Sequence, residues 1–214
     1  LRYDLWMNVN GPFPGGGIGS TEFNTGGVGN SGLTVQKSSG TANGPWYAVS
    51  GEGGSTSDFR AYRGTVLEGA TSAAYAATDD AFNRRDSANA YYQTAFPGGQ
   101  QAPALQQSTY PTNQTGALAA GTIGFGWRQV EIAKVGTNVT WKIDGLLIAT
   151  LTNAPFGGSN IFVGHWDAFS SIADQAELNF SVVDNLRVVA VPEPSTIALG
   201  VLGVAGLFLA RRRK

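Results

Sequence analysis

Alternating apolar and polar positions are clearest in the second half of the chain. Val139, Trp141 and Ile143 are separated by polar residues, and this period of two is typical of antiparallel strands with one buried face. Asp144-Gly145 follows, and these two residues tolerate the positive backbone angles of a two-residue turn. The pattern therefore predicts a β-hairpin over residues 138–151 with Trp141 in the core.

Similar short apolar segments recur along the chain, bounded by glycine, proline, asparagine or serine. They predict strands at 5–9, 33–36, 46–49, 59–62, around 130–132, and at 160–164, 178–183 and 185–189. Glycine-rich stretches such as Gly15-Gly16-Gly17 and Gly26-Gly27 are expected to separate the N-terminal strands. The alanine-rich segment 70–95 predicts a long excursion with one short helix. The fold class expected is all-β, a single antiparallel β-sandwich over residues 1–190.

The C-terminal residues follow a different pattern. Pro192-Glu193-Pro194 precedes an uncharged apolar run from Ile197 to Ala210, and the chain ends in four cations, Arg211, Arg212, Arg213 and Lys214. A helix over this run would be apolar on every face, so it must be buried in protein or in lipid. It would span about 21 Å, less than the roughly 30 Å of a bilayer core. The basic side chains can extend such a span by snorkelling, which favours one short membrane helix over a buried core helix.

These C-terminal residues resemble the PEP-CTERM protein-sorting signal of Gram-negative bacteria over residues 191–214. The resemblance rests on Pro192, Glu193 and Pro194, on the short apolar helix and on the basic end. It implies an exported protein that is held transiently in the inner membrane until an exosortase cuts near the motif. It also implies a final location at the cell surface or in the exopolysaccharide matrix of a biofilm.

An exported protein begins with a basic, then apolar, then small-residue signal. The chain instead begins Leu1-Arg2-Tyr3-Asp4. We therefore expect that residues 1–190 form an ectodomain that lacks its N-terminal export signal.

Composition narrows the function classes. The chain has no cysteine, so it contains no disulfide and no thiolate metal site. Of its 14 basic residues four lie at the C-terminal end, which leaves ten against 15 acidic residues. This acidic balance argues against nucleic acid as a partner.

A second resemblance concerns the predicted hairpin and its neighbours. The segments Trp127-Arg-Gln-Val-Glu-Ile, Val139-Thr-Trp-Lys-Ile-Asp-Gly-Leu, Phe162-Val-Gly and Val183-Asp-Asn-Leu-Arg-Val are similar to the later strands of concanavalin-like and laminin-G-like jelly rolls. This resemblance implies a fold and says little about activity.

The residue types needed for catalysis are sparse. Retaining glycosidases need two carboxyl groups on one face, yet Glu131 and Glu177 each lack an acid two residues on, and a strand would point Asp79 and Asp80 to opposite faces. His165 is the only histidine, and no Gly-x-Ser-x-Gly motif accompanies it. We predict no catalytic residues, no cofactor and no enzyme activity. Folding could still bring distant acids together, so a glycoside hydrolase is the third hypothesis.

Sugar binding has more support from the residues. Trp46, Tyr47, Trp166 and Asp167 could supply aromatic faces and a hydroxyl acceptor to a glycan, although the two tryptophans also suit a core. The carboxylates of Asp167, Asp174 and Asp184 suit calcium, but no dense acidic loop surrounds them, and no metal site is predicted. The sequence therefore favours a structural or adhesive matrix protein, with a lectin-like carbohydrate-binding module as the alternative.

Overall fold

The computed structural model describes residues 1–14, 17–32, 42–78 and 81–190. Its strands are β1 (Arg2–Asn8), β2 (Glu22–Asn30), β3 (Pro45–Ser50), β4 (Phe59–Arg63), β5 (Val66–Leu67), β6 (Trp127–Val135), β7 (Asn138–Ile143), β8 (Leu146–Leu151), β9 (Asn160–Asp167) and β10 (Phe180–Arg187). Its helices are α1 (Ala90–Ala95), α2 (Ala104–Thr109) and α3 (Pro111–Gln114), with a 3₁₀ turn at Ala176–Leu178.

The strands form two five-stranded antiparallel sheets. The first sheet has the order β10-β1-β6-β7-β8, and the second has the order β5-β4-β3-β2-β9. The predicted all-β sandwich is confirmed at this level, and the arrangement is compatible with a jelly roll. The predicted strand 33–36 and the predicted C-terminal membrane helix lie outside the described residues.

The predicted hairpin is confirmed as β7 and β8. Asp144 and Gly145 form its turn with φ angles of 50° and 81°, the left-handed conformation that a two-residue turn of this kind requires. Trp141 is 2% exposed and stacks on Tyr47 of the opposite sheet at 5.0 Å between ring centroids. The alternation in the sequence thus identified the buried face of β7.

The two sheets also exchange hydrogen bonds through the core. Tyr47 donates its hydroxyl to the carbonyl of Val139 at 3.0 Å, and Tyr3 donates to Asn24 Oδ1 at 2.9 Å. These bonds satisfy the buried hydroxyls and hold the inner faces in register.

The prediction for Gly26-Gly27 is wrong, because both glycines lie within β2 and are not a separating loop. A Cβ on Gly26 would lie 2.9 Å from both Ile132 Cδ1 and the Tyr3 hydroxyl, and one on Gly27 would overlap the Phe162 ring. Glycine is therefore needed where aromatic side chains pack against the strand from both sides.

Segment 70–95 contains one short helix, α1, as predicted. Asn89 caps it by accepting a hydrogen bond from the Tyr91 N–H at 3.0 Å, and Tyr92 stacks on Phe59 at 4.0 Å. The excursion continues to residue 126 through α2 and α3, which the sequence analysis did not predict. Neither helix contains a buried apolar residue, so their sequences lack the helical spacing of apolar residues that would have predicted them.

The two strands predicted at 178–183 and 185–189 are one strand, β10. Asn185 has a φ of 51°, and the register against β1 shifts there, with Asp184 opposite Asp4 and Arg187 opposite Arg2. Three steps along β10 thus match two along β1, which defines a β-bulge. The apparent break in the pattern is this bulge, and Leu178 belongs to the 3₁₀ turn.

The two sides of the sandwich, where the edge strands of the sheets lie, differ. On one side the backbone of segment 74–76 covers β8, since Thr150 N–H donates to the carbonyl of Ala74 and Ala76 N–H donates to that of Ile148. On the other side β10 pairs only with β1 and β9 pairs only with β2 among the described residues. A cavity of about 430 Å³, lined in part by Val163, Val183 and Leu186, lies between them.

Candidate functional site

Trp46 and Tyr47 lie in the interior, on opposite faces of β3. Trp46 is 0% exposed, stacks on Tyr62 with 3.8 Å between ring centroids and donates its indole N–H to the carbonyl of Gly64. Tyr47 is 1% exposed and packs between the sheets. Neither ring presents a face to solvent, so the structure removes both from a surface that could bind a sugar.

Trp166 and Asp167 are nearer the surface. Trp166 is half-buried and packs against Phe23 at 5.8 Å and Trp46 at 5.6 Å. Asp167 is exposed, and its carboxylate accepts the N–H of Phe169 at 3.1 Å. The end of β9 therefore brings these two predicted residues together, beside a third that was not predicted.

The residues missed by the sequence analysis are Phe169 and Arg60. Phe169 is 45% exposed, and the Arg60 guanidinium lies 5.3 Å from its ring centroid and 4.4 Å from that of Phe23. We call Arg60, Trp166, Asp167 and Phe169 the Phe169 surface. It offers an aromatic face, a cation and a carboxylate, the groups that suit a sugar ring and its hydroxyls. The signal for Arg60 was its polar position within the apolar strand β4.

Each of the three aspartates considered for calcium accepts a hydrogen bond from a backbone N–H. Asp174 Oδ2 accepts the N–H of Ile18 at 2.8 Å, and Asp184 Oδ1 accepts that of Asn185 at 2.7 Å. Among the residues described, no three acidic or histidine side chains converge in a metal-binding arrangement. Asp79 and Asp80 lie outside the described residues.

His165 joins the two sheets. Its Nδ1 lies 2.9 Å from Ser181 Oγ on β10, and its Nε2 lies 3.0 Å from Glu22 Oε2 on β2. The Nε2 atom is nevertheless buried without a hydrogen bond. The contacts therefore tie β9 to β10 and β2.

Glu52 is a buried acid that no sequence pattern indicated. It lies between Gly51 and Gly53 in the loop after β3, and both of its carboxyl oxygens are buried. Burial raises its pKa to about 8, the nearby carboxyls of Asp58 and Glu22 add to the effect, and the Thr21 hydroxyl and the backbone oppose it. Burial also raises the pKa of Asp58, although Ser50 and Ser87 donate hydrogen bonds to it. Glu52 is thus a neutral acid at pH 7.

The described part of the chain ends directly before the predicted sorting motif. β10 ends at Arg187, and Ala190 is the last described residue. Pro192, Glu193 and Pro194, the apolar run and the four terminal cations lie outside the described residues. Over residues 1–14, 17–32, 42–78 and 81–190, no helix combines the length and the apolar character needed to cross a bilayer.

Comparison with known families decides the identity of this end of the chain. Residues 190–214 match the PEP-CTERM protein-sorting motif. The PEP-CTERM motif marks an exported protein that is targeted to an exosortase and anchored in the membrane transiently. The recognition of this motif from its residues is confirmed. No curated protein and no solved structure matches the chain.

Proposed function

We propose that an exosortase cleaves this chain at Pro192-Glu193-Pro194 and that the β-sandwich then serves as a structural or adhesive protein. Its location would be the outer surface or the exopolysaccharide matrix of a Gram-negative bacterium. The PEP-CTERM match at residues 190–214 carries this proposal. The last described strand ends at Arg187, five residues before Pro192. This supports the proposal because cleavage at the motif would leave every strand of the described residues intact.

Before cleavage, the apolar run Ile197 to Ala210 would lie in the inner membrane as a short helix. The four terminal cations, Arg211 to Lys214, would then lie on the cytoplasmic side, where clustered basic residues are favoured. The sandwich would lie on the opposite side of the membrane, in the periplasm.

We further propose that the role of the sandwich is not catalytic. The surroundings of the acids of β6 and of the 3₁₀ turn support this proposal. Glu131 forms ion pairs with Arg2 at 2.6 Å and with Lys142 at 3.8 Å, and Glu177 is exposed.

The experiment is intact-mass analysis of the protein from its own cells, with and without the candidate exosortase. We expect a form that ends between residues 192 and 195 and that disappears when the enzyme is deleted. Glu193→Ala should abolish this form, whereas Glu177→Ala, an exposed glutamate in the sandwich, should leave it unchanged. A chain that keeps Arg211 to Lys214 in the presence of the enzyme would refute the cleavage and make the tail a permanent anchor.

A second candidate function is carbohydrate binding at the Phe169 surface. It is favoured by the exposed Phe169 ring, which packs against Phe23 as Trp166 does. Affinity electrophoresis through gels that contain the cell's own exopolysaccharide would test it. Phe169→Ala should abolish retardation, and Ile172→Ala, which changes a side chain that is 80% exposed, should not. Equal mobility of native protein with and without polysaccharide would favour the purely structural role.

A further inference from the structure

The β10 edge of the first sheet is unusually apolar for an unpaired strand. Val182, Val183 and Leu186 on the strand, with Val188 and Val189 directly after it, are between 37% and 66% exposed. Exposed, apolar edge strands are templates for pairing with another chain, and proteins normally cover or charge them. Segment 74–76 covers β8 at the other edge of this sheet, so among the described residues β10 is the uncovered edge of the first sheet.

The sequence of this edge is complementary to itself in the antiparallel direction. It runs Val182-Val183-Asp184-Asn185-Leu186-Arg187-Val188-Val189. When β10 of a second copy is placed antiparallel to this strand, with the two-fold axis between Asn185 and Leu186, Asp184 of one copy faces Arg187 of the other. The same register places Val183 opposite Val188 and Val182 opposite Val189. Opposite charges and β-branched pairs in these positions stabilise antiparallel strands.

The bulge at Asn185 puts the matched side chains on the same face. In a regular strand Asp184 and Arg187 would point to opposite faces, because they are three residues apart. Here they lie opposite Asp4 and Arg2 of β1, which are two residues apart and therefore share a face. Residues that lie opposite each other in an antiparallel pair also point to the same face. The bulge therefore allows Asp184 of one copy to meet Arg187 of the other in this register.

Both charged groups are available for this contact. Asp184 and Arg187 are exposed, and neither forms an ion pair with another residue of the described segments. Asp184 uses one oxygen to accept the Asn185 N–H, which leaves the other oxygen for the partner's guanidinium.

We propose that two copies of this chain pair through β10 about a two-fold axis between Asn185 and Leu186. The β10-containing sheet of one copy and that of the other then form one continuous ten-stranded sheet. The interface is isologous, as in most homodimers. Each dimer contains two Asp184–Arg187 pairs and four valine pairs. This inference does not depend on exosortase processing or on glycan binding.

Charge reversal tests the register. Sedimentation velocity on the full chain in non-ionic detergent should show a dimer. Asp184→Arg places two arginines opposite each other, and Arg187→Asp places two aspartates there, so each variant should raise the dimer Kd by about tenfold or more. An equal mixture of the two variants should dimerise again, because each arginine then faces an aspartate. Glu177→Arg, an exposed reversal elsewhere, should behave as the native chain does.

Cysteine pairing gives an independent test, since the native chain contains no cysteine. A mixture of Val183→Cys chains and Val188→Cys chains should form a disulfide-linked dimer on mild oxidation, and Val183→Cys alone should not. A native chain that stays monomeric at every concentration would overturn the proposal. So would a dimer that neither charge reversal weakens, or one that the mixed cysteine chains do not cross-link. Far-UV circular dichroism confirms that each variant is folded.

Discussion

The buried carboxyl of Glu52 makes the stability of the sandwich depend on pH in a defined direction. In the folded chain its pKa is about 8, against an ordinary value of 4.5. Between these two values the folded state holds a proton that the unfolded state releases. The free energy of unfolding therefore falls as pH rises from 4.5 to 8, by 1.36 kcal/mol per pH unit for this group. Glu52 alone thus lowers stability at pH 7 by up to about 3 kcal/mol relative to pH 4.5.

Glu52→Gln removes this titration while keeping the shape of the side chain. We expect the free energy of unfolding of the variant, relative to that of the native protein, to rise steadily from pH 5 to pH 8. Between pH 4.5 and pH 7 this difference should change by about 3 kcal/mol. The assay is urea denaturation followed by far-UV circular dichroism at each pH. Asp58, whose pKa burial also raises, keeps part of the slope in both proteins, so the difference between the two curves isolates Glu52.

Glu177→Gln is the matched control, because it makes the same change at an exposed position, and its curve should parallel that of the native protein. If the Glu52→Gln and native curves are also parallel from pH 5 to pH 8, Glu52 is ionised in the folded protein and the reasoning is refuted.

Three further changes probe the packing. Trp141→Ala should remove about 3–5 kcal/mol of unfolding free energy by leaving a cavity between the sheets, measured by urea denaturation; a loss below 1 kcal/mol would contradict its core position. Gly27→Ala should lower the melting temperature, because the new Cβ lies 2.9 Å from Trp46 Cβ, whereas Gly54→Ala, with open space around it, tests the backbone conformation without a clash. Asn89→Ala should cost about 1 kcal/mol by uncapping α1, and hydrogen exchange at Tyr91 should rise.

The sequence was most informative where one face of a strand is buried and the other is exposed to solvent. The hairpin β7–β8 follows this rule, so its alternation gave the strands, the turn and the position of Trp141. β2 does not follow it, because every one of its residues is buried and glycines replace side chains where aromatic rings approach. Its sequence, Glu-Phe-Asn-Thr-Gly-Gly-Val-Gly-Asn, therefore resembled a loop.

The site residues divide in a similar way. The sorting motif is contiguous in sequence, so it was recognised directly. The contact of His165 with Ser181 and Glu22 brings β9 and β10 against β2, which is distant from both along the chain, and strand order cannot be derived from a single sequence. The burial of Glu52 depends on the packing of a glycine-rich loop, in which the sequence has no periodic signal.

The short connection between β10 and the sorting motif limits how far the sandwich can move from the membrane. Ten residue steps separate Arg187 from Ile197, where the apolar run begins, and a fully extended chain spans at most about 3.6 Å per step, or roughly 36 Å in all. While the signal is anchored, the β10 edge of every copy therefore stays in a layer of about this depth next to the bilayer. Confinement to this layer raises the effective concentration of the edges, so copies meet before cleavage far more often than they do once released.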